Sequence, residues 1–228
     1  MDFKCDELIS EKTDADSRAL TLALLVGRHY VPPVNLKLAS YENTQRGFNM
    51  KKDIQTIESK IVYENKWMSV REDKILRTNG HEGIYGVVEK NDFAVIAAIQ
   101  DQQIYMVQQY RYPVEARFWE LPQGSWEKSD ILPLELAKAE LREETGIIAN
   151  SMQHVGHLYL AYGYSNQGYD IFYATDLQTT MTALDPEEVD LIARPFSLRE
   201  VEKMIISGEI KDASTVAVFG LLKMKNII

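Results

Sequence analysis

Residues 121–147 read LPQGSWEKSDILPLELAKAELREETGI, and inside them runs Glu140-Leu141-Arg142-Glu143-Glu144-Thr145-Gly146. Residues three and four apart on a helix are surface neighbours, so Glu140, Glu143 and Glu144 crowd together. Like charges at that spacing destabilise a helix by roughly 0.2–0.5 kcal/mol per pair. A hard divalent cation, Mg²⁺ or Mn²⁺, prefers oxygen ligands and removes that repulsion. Leu134, Ala137, Leu141 and Ile148 recur at helical spacing as a core-facing stripe, with the carboxylates on the adjacent face. Pro133 suits a first helical turn, and Gly146 sits where a left-handed cap ends a helix. Pro122-Gln123-Gly124 is a tight loop that brings backbone groups close to a metal and a phosphate. The unit is loop, helix, loop, with a metal site on the helix. A bare E-x-x-E-E also occurs as a solvated acidic face, but the glycine loop before it and Thr-Gly-Ile after it argue for the metal.

The chain has 228 residues and a net charge of −9, a length for one domain plus an extension or two small domains. That charge argues against nucleic acid as a partner. A phosphorylated small molecule is compatible with it, because a bound metal reverses the local sign. Cys5 is the only cysteine, which excludes an internal disulfide and a thiolate metal cluster. No apolar run approaches about 18 residues, so no membrane span is expected. Ala19–Val26 is apolar but follows acidic residues, whereas a secretory signal starts basic. A cytoplasmic protein without a membrane partner is expected. Residues 1–49 differ from the rest: a polar acidic start, then ALTLALLVG, then VPPVNLKL with its Pro32-Pro33 breaker. They carry no catalytic pattern and are read as an extension, an interaction or dimer-building element, or residues upstream of a start at Met50.

Beyond residue 50 the pattern is short strands. Ile61–Tyr63, Met68–Ile75 and Ile84–Val88 read as strands, with Thr78-Asn79-Gly80 as a hairpin turn. Phe93–Ile99 is almost wholly apolar, as in a buried strand, and Asp101-Gln102-Gln103 turns the chain into Ile104–Gln109. Val155–Tyr162 and Tyr169–Asp176 are strands flanking residues 163–168. Ser197 and Glu200 form a capping box for a helix that ends at Ser207-Gly208. Asp212–Lys225 is a last helix with Val216, Phe219 and Leu222 inward. His154 and His157, three apart in a predicted strand, fall on opposite faces; with His29 and His81 they are read as structural.

At the helix the sequence resembles the Nudix box, G-x5-E-x7-R-E-U-x-E-E-x-G-U with U aliphatic. Gly124, Glu140, Leu141, Glu143, Glu144, Gly146 and Ile147 fit. Two positions depart: Ala139 replaces the box arginine, and the first box glutamate has only Asp130 nearby, one residue out of register. Gln109-Tyr110-Arg111-Tyr112-Pro113, Glu120-Leu121-Pro122 and Gly208–Ala213 are similar to segments of the ADP-ribose and nucleotide-sugar branch, so the resemblance covers residues 51–225.

This resemblance implies an α/β fold: a Nudix α/β/α sandwich with a mixed sheet, plus a small N-terminal antiparallel β-sheet. It divides the chain into an extension (1–49), a sheet subdomain (50–90) and a Nudix hydrolase domain (91–228). In relatives that small sheet crosses to a partner subunit, which implies a homodimer. The implied activity is Mg²⁺-dependent hydrolysis of the pyrophosphate bond of a nucleoside diphosphate sugar, ADP-ribose giving AMP and ribose 5-phosphate. GDP-mannose or another nucleotide sugar is the alternative substrate. Ala139 motivates a third reading, a Nudix-fold ligand-binding or regulatory module.

Glu140 and Glu144 are then the main metal ligands, Glu143 holds a further metal or a metal-bound water, and the Gln123 carbonyl completes the set. Arg111 either grips phosphate with two donors or pairs with a carboxylate. Glu120 either holds base or ribose or pairs with Arg111. Relatives carry a general-base glutamate in the loop that corresponds to residues 163–168. Here Asn166 and Gln167 stand there, and neither takes up a proton at neutral pH; the nearest acids are Asp170 and those of residues 185–190. Tyr159, Tyr162 and Tyr164 either line a pocket by stacking or belong to the core.

Overall fold

The computed structural model describes residues 52–125, 131–182 and 190–228. Asp130, residues 185–189, Cys5, His29 and the extension lie outside the described residues.

Three strands open the described chain: β1 (Ile54–Glu64), β2 (Ser69–Arg77) and β3 (Glu82–Glu89). They pair antiparallel in the order β1-β2-β3. The β2–β3 turn needs a left-handed residue, and Gly80 supplies it with φ 83°. Strand β1 is exposed along its whole length.

The second sheet is built around β4 (Phe93–Gln100). The run FAVIAAIQ is apolar on both sides, and both sides are buried. Ala94, Ile96 and Ala98 face one core with Leu136, Ala137 and Leu141. Val95, Ala97 and Ile99 face the other with Val201, Met204, Val218, Phe219 and Leu222. Alternation of side chains across a strand produces this two-sided burial. Asp101 and Gln102, both left-handed with φ 52° and 61°, turn the chain into β5 (Gln103–Arg111), the twist a two-residue hairpin requires. A short 3₁₀ turn at Tyr112–Val114 leads to β6 (Ala116–Glu120) and β7 (Gln123–Gly124). Helix α1 (Pro133–Thr145), β8 (Ile147–Tyr159), β9 (Gly168–Thr179), β10 (Ile192–Ser197), α2 (Leu198–Ser207) and α3 (Ala213–Met224) follow. The strand order is β10-β5-β4-β9-β8, with β6 on β5 and β7 on β4. The pair β4–β9 is parallel and the others are antiparallel. With α1 on one face and α2 and α3 on the other, this is the expected α/β/α sandwich with a mixed sheet, preceded by the small antiparallel sheet.

The helix ends follow the sequence. Pro133 occupies the first turn of α1, and Gly146 caps it at φ 67° with its N–H on the Arg142 carbonyl. Ser197 and Glu200 close a full capping box on α2. Asp212 caps α3 by accepting from the Thr215 N–H at 2.7 Å.

Three expectations are corrected. Ile148 belongs to β8 and is exposed; Ile147 is the buried neighbour, because the Gly146 turn ends the helical period before it. On α3 the inward residues are Val218, Phe219 and Leu222, whereas Val216 is exposed. His154 and His157 do not lie on opposite faces. The β8–β9 register shifts between His154 and Gly156, and one extra residue returns an i, i+3 pair to the same face. Both imidazoles meet Asp170, His154 Nε2 at 2.7 Å and His157 Nδ1 at 3.5 Å.

Among the described residues no helix is long and apolar enough to cross a membrane.

Candidate active site

Helix α1 carries its acids in two settings. Glu140 and Glu144, one turn apart, are buried together with Ala137 and Leu141. Glu143 is half-buried at the rim, with Arg142 Nη2 at 3.5 Å from its Oε1. Where Ala139 leaves Glu143 without the box arginine, its sequence neighbour thus supplies an exposed cation, an ion pair of the kind worth about 0–1 kcal/mol.

The glycine loop is pinned against this helix by the sheet. Gln123 and Gly124 pair with Val95 and Ala94 of β4, and the Ile96 N–H donates to the Pro122 carbonyl at 2.9 Å. Gly124 then faces Glu140: a Cβ there would collide with the carboxyl carbon and both oxygens of Glu140. The Gln123 N–H donates to Glu144 Oε2 at 3.1 Å.

Among the described residues no three or more His, Cys, Asp or Glu side chains gather as a closed metal cage. The arrangement still fits a hard divalent cation of the Mg²⁺ type. Two buried carboxylates one turn apart offer oxygen donors only, and the glycine opposite lets the Glu140 carboxylate lie where any side chain would collide with it. Mg²⁺ is commonly held by one or two carboxylates with waters and substrate phosphates completing its shell, not by an all-protein cage.

Arg111 and Glu120 form the second cluster. They sit on the paired strands β5 and β6 and meet as an ion pair. Arg111 Nη2 lies 2.5 Å from Glu120 Oε1, and Nε lies 3.3 Å from Oε2. Glu120 also accepts from Gln109 Nε2 at 3.1 Å and Gln123 Nε2 at 3.2 Å. Burial pushes the Glu120 carboxyl above its ordinary pKa against the opposing pull of Arg111, and Asp212 adds to the rise. The Arg111 side chain is 40% exposed, so it keeps a face toward solvent while one side grips Glu120.

A cleft of about 380 Å³ has walls that include His157, Tyr159, Tyr162, Tyr169 and Ser214 but none of Arg111, Glu120, Glu140 and Glu144; Ser214 links it to the cluster through Gln123. Tyr159 and Tyr162 are 60% and 84% exposed, so they are not core residues. Tyr164 is exposed as well; its carbonyl accepts from the Val88 N–H at 2.8 Å and so docks the loop on β3. Burial and the charge of Asp212 raise the Tyr169 hydroxyl above its ordinary pKa.

The loop residues in the family's general-base region serve as scaffolding. Buried Gln167 donates to the Asn91 carbonyl at 2.7 Å, and Asn166 accepts from the Lys90 N–H at 3.4 Å. Asp170 is engaged by the two histidines, and Asp190 pairs with Arg117. Sequence reasoning missed the Gln123 side chain and Ser214, and it quoted Gln109 only as part of the Gln109–Pro113 segment, without a role. Asp212, three residues before Thr215, carried the signal of an N-cap.

Comparison with known proteins accords with this geometry. The family model of the nucleoside diphosphate sugar hydrolase N-terminal domain matches residues 54–88, and that of the NUDIX domain matches residues 90–217. An ADP-ribose pyrophosphatase of Mycobacterium tuberculosis is 30% identical over 172 residues, 75% of this chain and 82% of the relative. An ADP-ribose pyrophosphatase of Bacillus subtilis is 25% identical over 176 residues, 76% of this chain and 95% of the relative. The methanol dehydrogenase activator of Bacillus methanolicus is 29% identical over 178 residues, 76% of this chain and 95% of the relative. A crystal structure of an ADP compounds hydrolase shares the fold, with a TM-score of 0.68 at 19% identity over 76% of this chain and 94% of that one. With a NUDIX domain over most of its length and a buried carboxylate pair where the box places it, the chain belongs to the Nudix hydrolase family.

Proposed function

We propose that the protein hydrolyses the pyrophosphate bond of ADP-ribose with Mg²⁺, releasing AMP and ribose 5-phosphate. The observation that carries this reading is the Glu140–Glu144 pair held against the Gln123–Gly124 loop; the two ADP-ribose pyrophosphatase relatives support the substrate. Glu140 and Glu144 hold the metal, with the Gln123 carbonyl as a further oxygen donor and Glu143 holding water at the rim. When bound, the metal lowers the pKa of a water and neutralises phosphate charge. Gly124 keeps the Glu140 carboxylate in its place by leaving no other side chain there, and the Gln123 N–H fixes the orientation of Glu144. Arg111 turns its solvent face to a phosphate, where a guanidinium supplies two donors at once. Glu120 fixes its other face. The rings of Tyr159 and Tyr162 offer stacking surfaces for a base or sugar.

Residues 50–90 and 91–228 act as a sheet subdomain and a catalytic domain. The exposed Ile54, Ile57, Ile61, Tyr63 and Ile84 of the small sheet support a homodimer, which light scattering of the purified chain tests. The product assay decides the activity: purified protein with Mg²⁺ and ADP-ribose beside GDP-mannose, with AMP or GMP quantified. Chelator-sensitive AMP release is the expected result. GMP release alone would move the substrate to another nucleotide sugar.

A second reading is favoured by one observation, the relative named as a methanol dehydrogenase activator. A regulatory Nudix module would bind ADP-ribose in the same assay without releasing product. Ala139→Arg, which restores the box arginine beside Glu143, would then leave turnover absent. In a weakened enzyme the same change raises turnover.

A further inference from the structure

Gln123 stands where the two carboxylate clusters meet. Its backbone N–H holds Glu144 Oε2 at 3.1 Å, on the α1 side. Its side-chain amide reaches Glu120 at one end and Ser214 at the other: Nε2 lies 3.2 Å from Glu120 Oε2, and the Ser214 hydroxyl lies 2.7 Å from Oε1. Ser214 is buried in the first turn of α3, touches the Asp212 cap at 2.5 Å and lines the open cleft. One residue thus spans from the metal-side helix to the β5–β6 ion pair and to the α3 terminus.

The donor inventory makes the amide more than filler. An ionised carboxylate only accepts hydrogen bonds. Glu120 Oε1 receives Gln109 Nε2 and Arg111 Nη2; Oε2 receives Arg111 Nε, at a long 3.3 Å, and Gln123 Nε2. Without the amide, Oε2 keeps that one long contact in a site only 3% exposed. The guanidinium is the group able to move and make up the loss, since it is 40% exposed and its partner is not. The position of Arg111, and with it the direction of its outward donors, is therefore set partly by Gln123.

We propose that the Gln123 side chain is a positioning residue that fixes the Glu120–Arg111 pair relative to the Glu140–Glu144 metal site, and so sets the grip on the substrate's phosphates. This rests on the reading of Arg111 as the phosphate-binding group. Any residue but proline retains the backbone N–H to Glu144, so replacing the side chain separates the two ends of the link. Gln123→Met keeps the length and removes both polar ends.

The test measures kcat, KM for ADP-ribose, the Mg²⁺ concentration for half-maximal rate and the thermal midpoint, for wild type, Gln123→Met and Ser214→Ala. Losing a buried hydrogen bond to a charged group predicts a KM about tenfold higher in Gln123→Met. The kcat and the Mg²⁺ requirement stay within about twofold to threefold, because the Glu144 contact survives. Ser214→Ala removes the hydroxyl that the amide oxygen shares with the Asp212 cap and raises KM by about threefold. A folded Gln123→Met with wild-type KM overturns the inference. So does a loss confined to kcat or to metal activation. Should Gln123→Met not fold, Ser214→Ala with unchanged KM overturns it alone. Wild-type binding without turnover refutes the hydrolase reading only, and titrated Kd values then replace KM in the same comparison. A wild type that neither binds nor hydrolyses ADP-ribose refutes both.

Discussion

Gly124→Ala isolates the contact on which the catalytic reading depends. The backbone at Gly124 lies outside the left-handed region, so alanine is allowed there and the added methyl acts through space alone. That Cβ would fall on the Glu140 carboxyl carbon and both its oxygens. Carbon atoms in contact settle at roughly 3.5–4.0 Å, so the carboxylate has to withdraw by about 1 Å. It is the terminal group of a side chain and withdraws by rotating about its own bonds, without moving the sheet. The cost in stability should stay below about 1 kcal/mol, which for a chain of this size lowers the unfolding midpoint by less than about 4 °C. Catalysis is far less forgiving, because a 1 Å displacement costs on the order of 100-fold, or about 2.7 kcal/mol in the barrier. Steady-state hydrolysis of ADP-ribose and a thermal melt on the same preparation measure both. The expected variant is folded, about 100-fold slower in kcat/KM, and partly rescued by higher Mg²⁺. Turnover within threefold of wild type would refute the reasoning, since the Glu140 carboxylate would not be needed where the structure holds it. A loss of stability above about 3 kcal/mol would show that the backbone, not the side chain, gives way.

Glu144→Gln keeps the volume and the contact with the Gln123 N–H but removes the negative charge. Turnover should fall by about three orders of magnitude, as several kcal/mol of charge stabilisation are lost, while the thermal midpoint holds or rises; retained activity would remove Glu144 from the metal site. Gly146→Ala forces a Cβ into a residue at φ 67° and against the Thr180 carbonyl, so urea unfolding should show a loss of about 1–3 kcal/mol, and an unchanged midpoint would contradict the cap geometry. Ser197→Ala removes the capping box of α2 and should cost about 1 kcal/mol at pH 7. The Ser197 hydroxyl, and after it the Ser197 N–H, hold the Glu200 carboxyl below its ordinary pKa. A carboxyl lowered in the folded state stabilises the fold above its unfolded pKa and loses that contribution as pH falls through the folded value. The gap between wild type and Ser197→Ala in urea melts should therefore narrow below roughly pH 4; a gap that widens there would reverse the sign.

What the sequence revealed and what it hid separate along a physical line. Local rules carried the elements: the apolar run of β4, the proline and glycine bounding α1, and the Ser197–Glu200 box each act within a few residues, where spacing is the cause of structure. The acids of α1 were legible as a group, but spacing could not say which would be buried. The sheet decides that, by laying β7 along Ala94 and Val95 so that Gly124 meets Glu140 and the Gln123 N–H meets Glu144. The histidine error has the same origin. Strand periodicity separates His154 from His157, yet the register shift in β8 is a property of pairing with β9 and leaves no mark on either strand alone. Gln123 is the strongest instance. A single glutamine side chain has no motif value, and its polar ends acquire a role only once Glu120, 3 residues before it, and Ser214, 91 residues after it, arrive from different elements. The carboxylates proposed as metal ligands could be grouped because one helix presents them together. Around Arg111 the Glu120 partner was one of two readings, whereas the Gln123 amide and Ser214 could not be read, because separate segments supply them, and in a Nudix chain such segments are where changes in substrate would be written without touching the box.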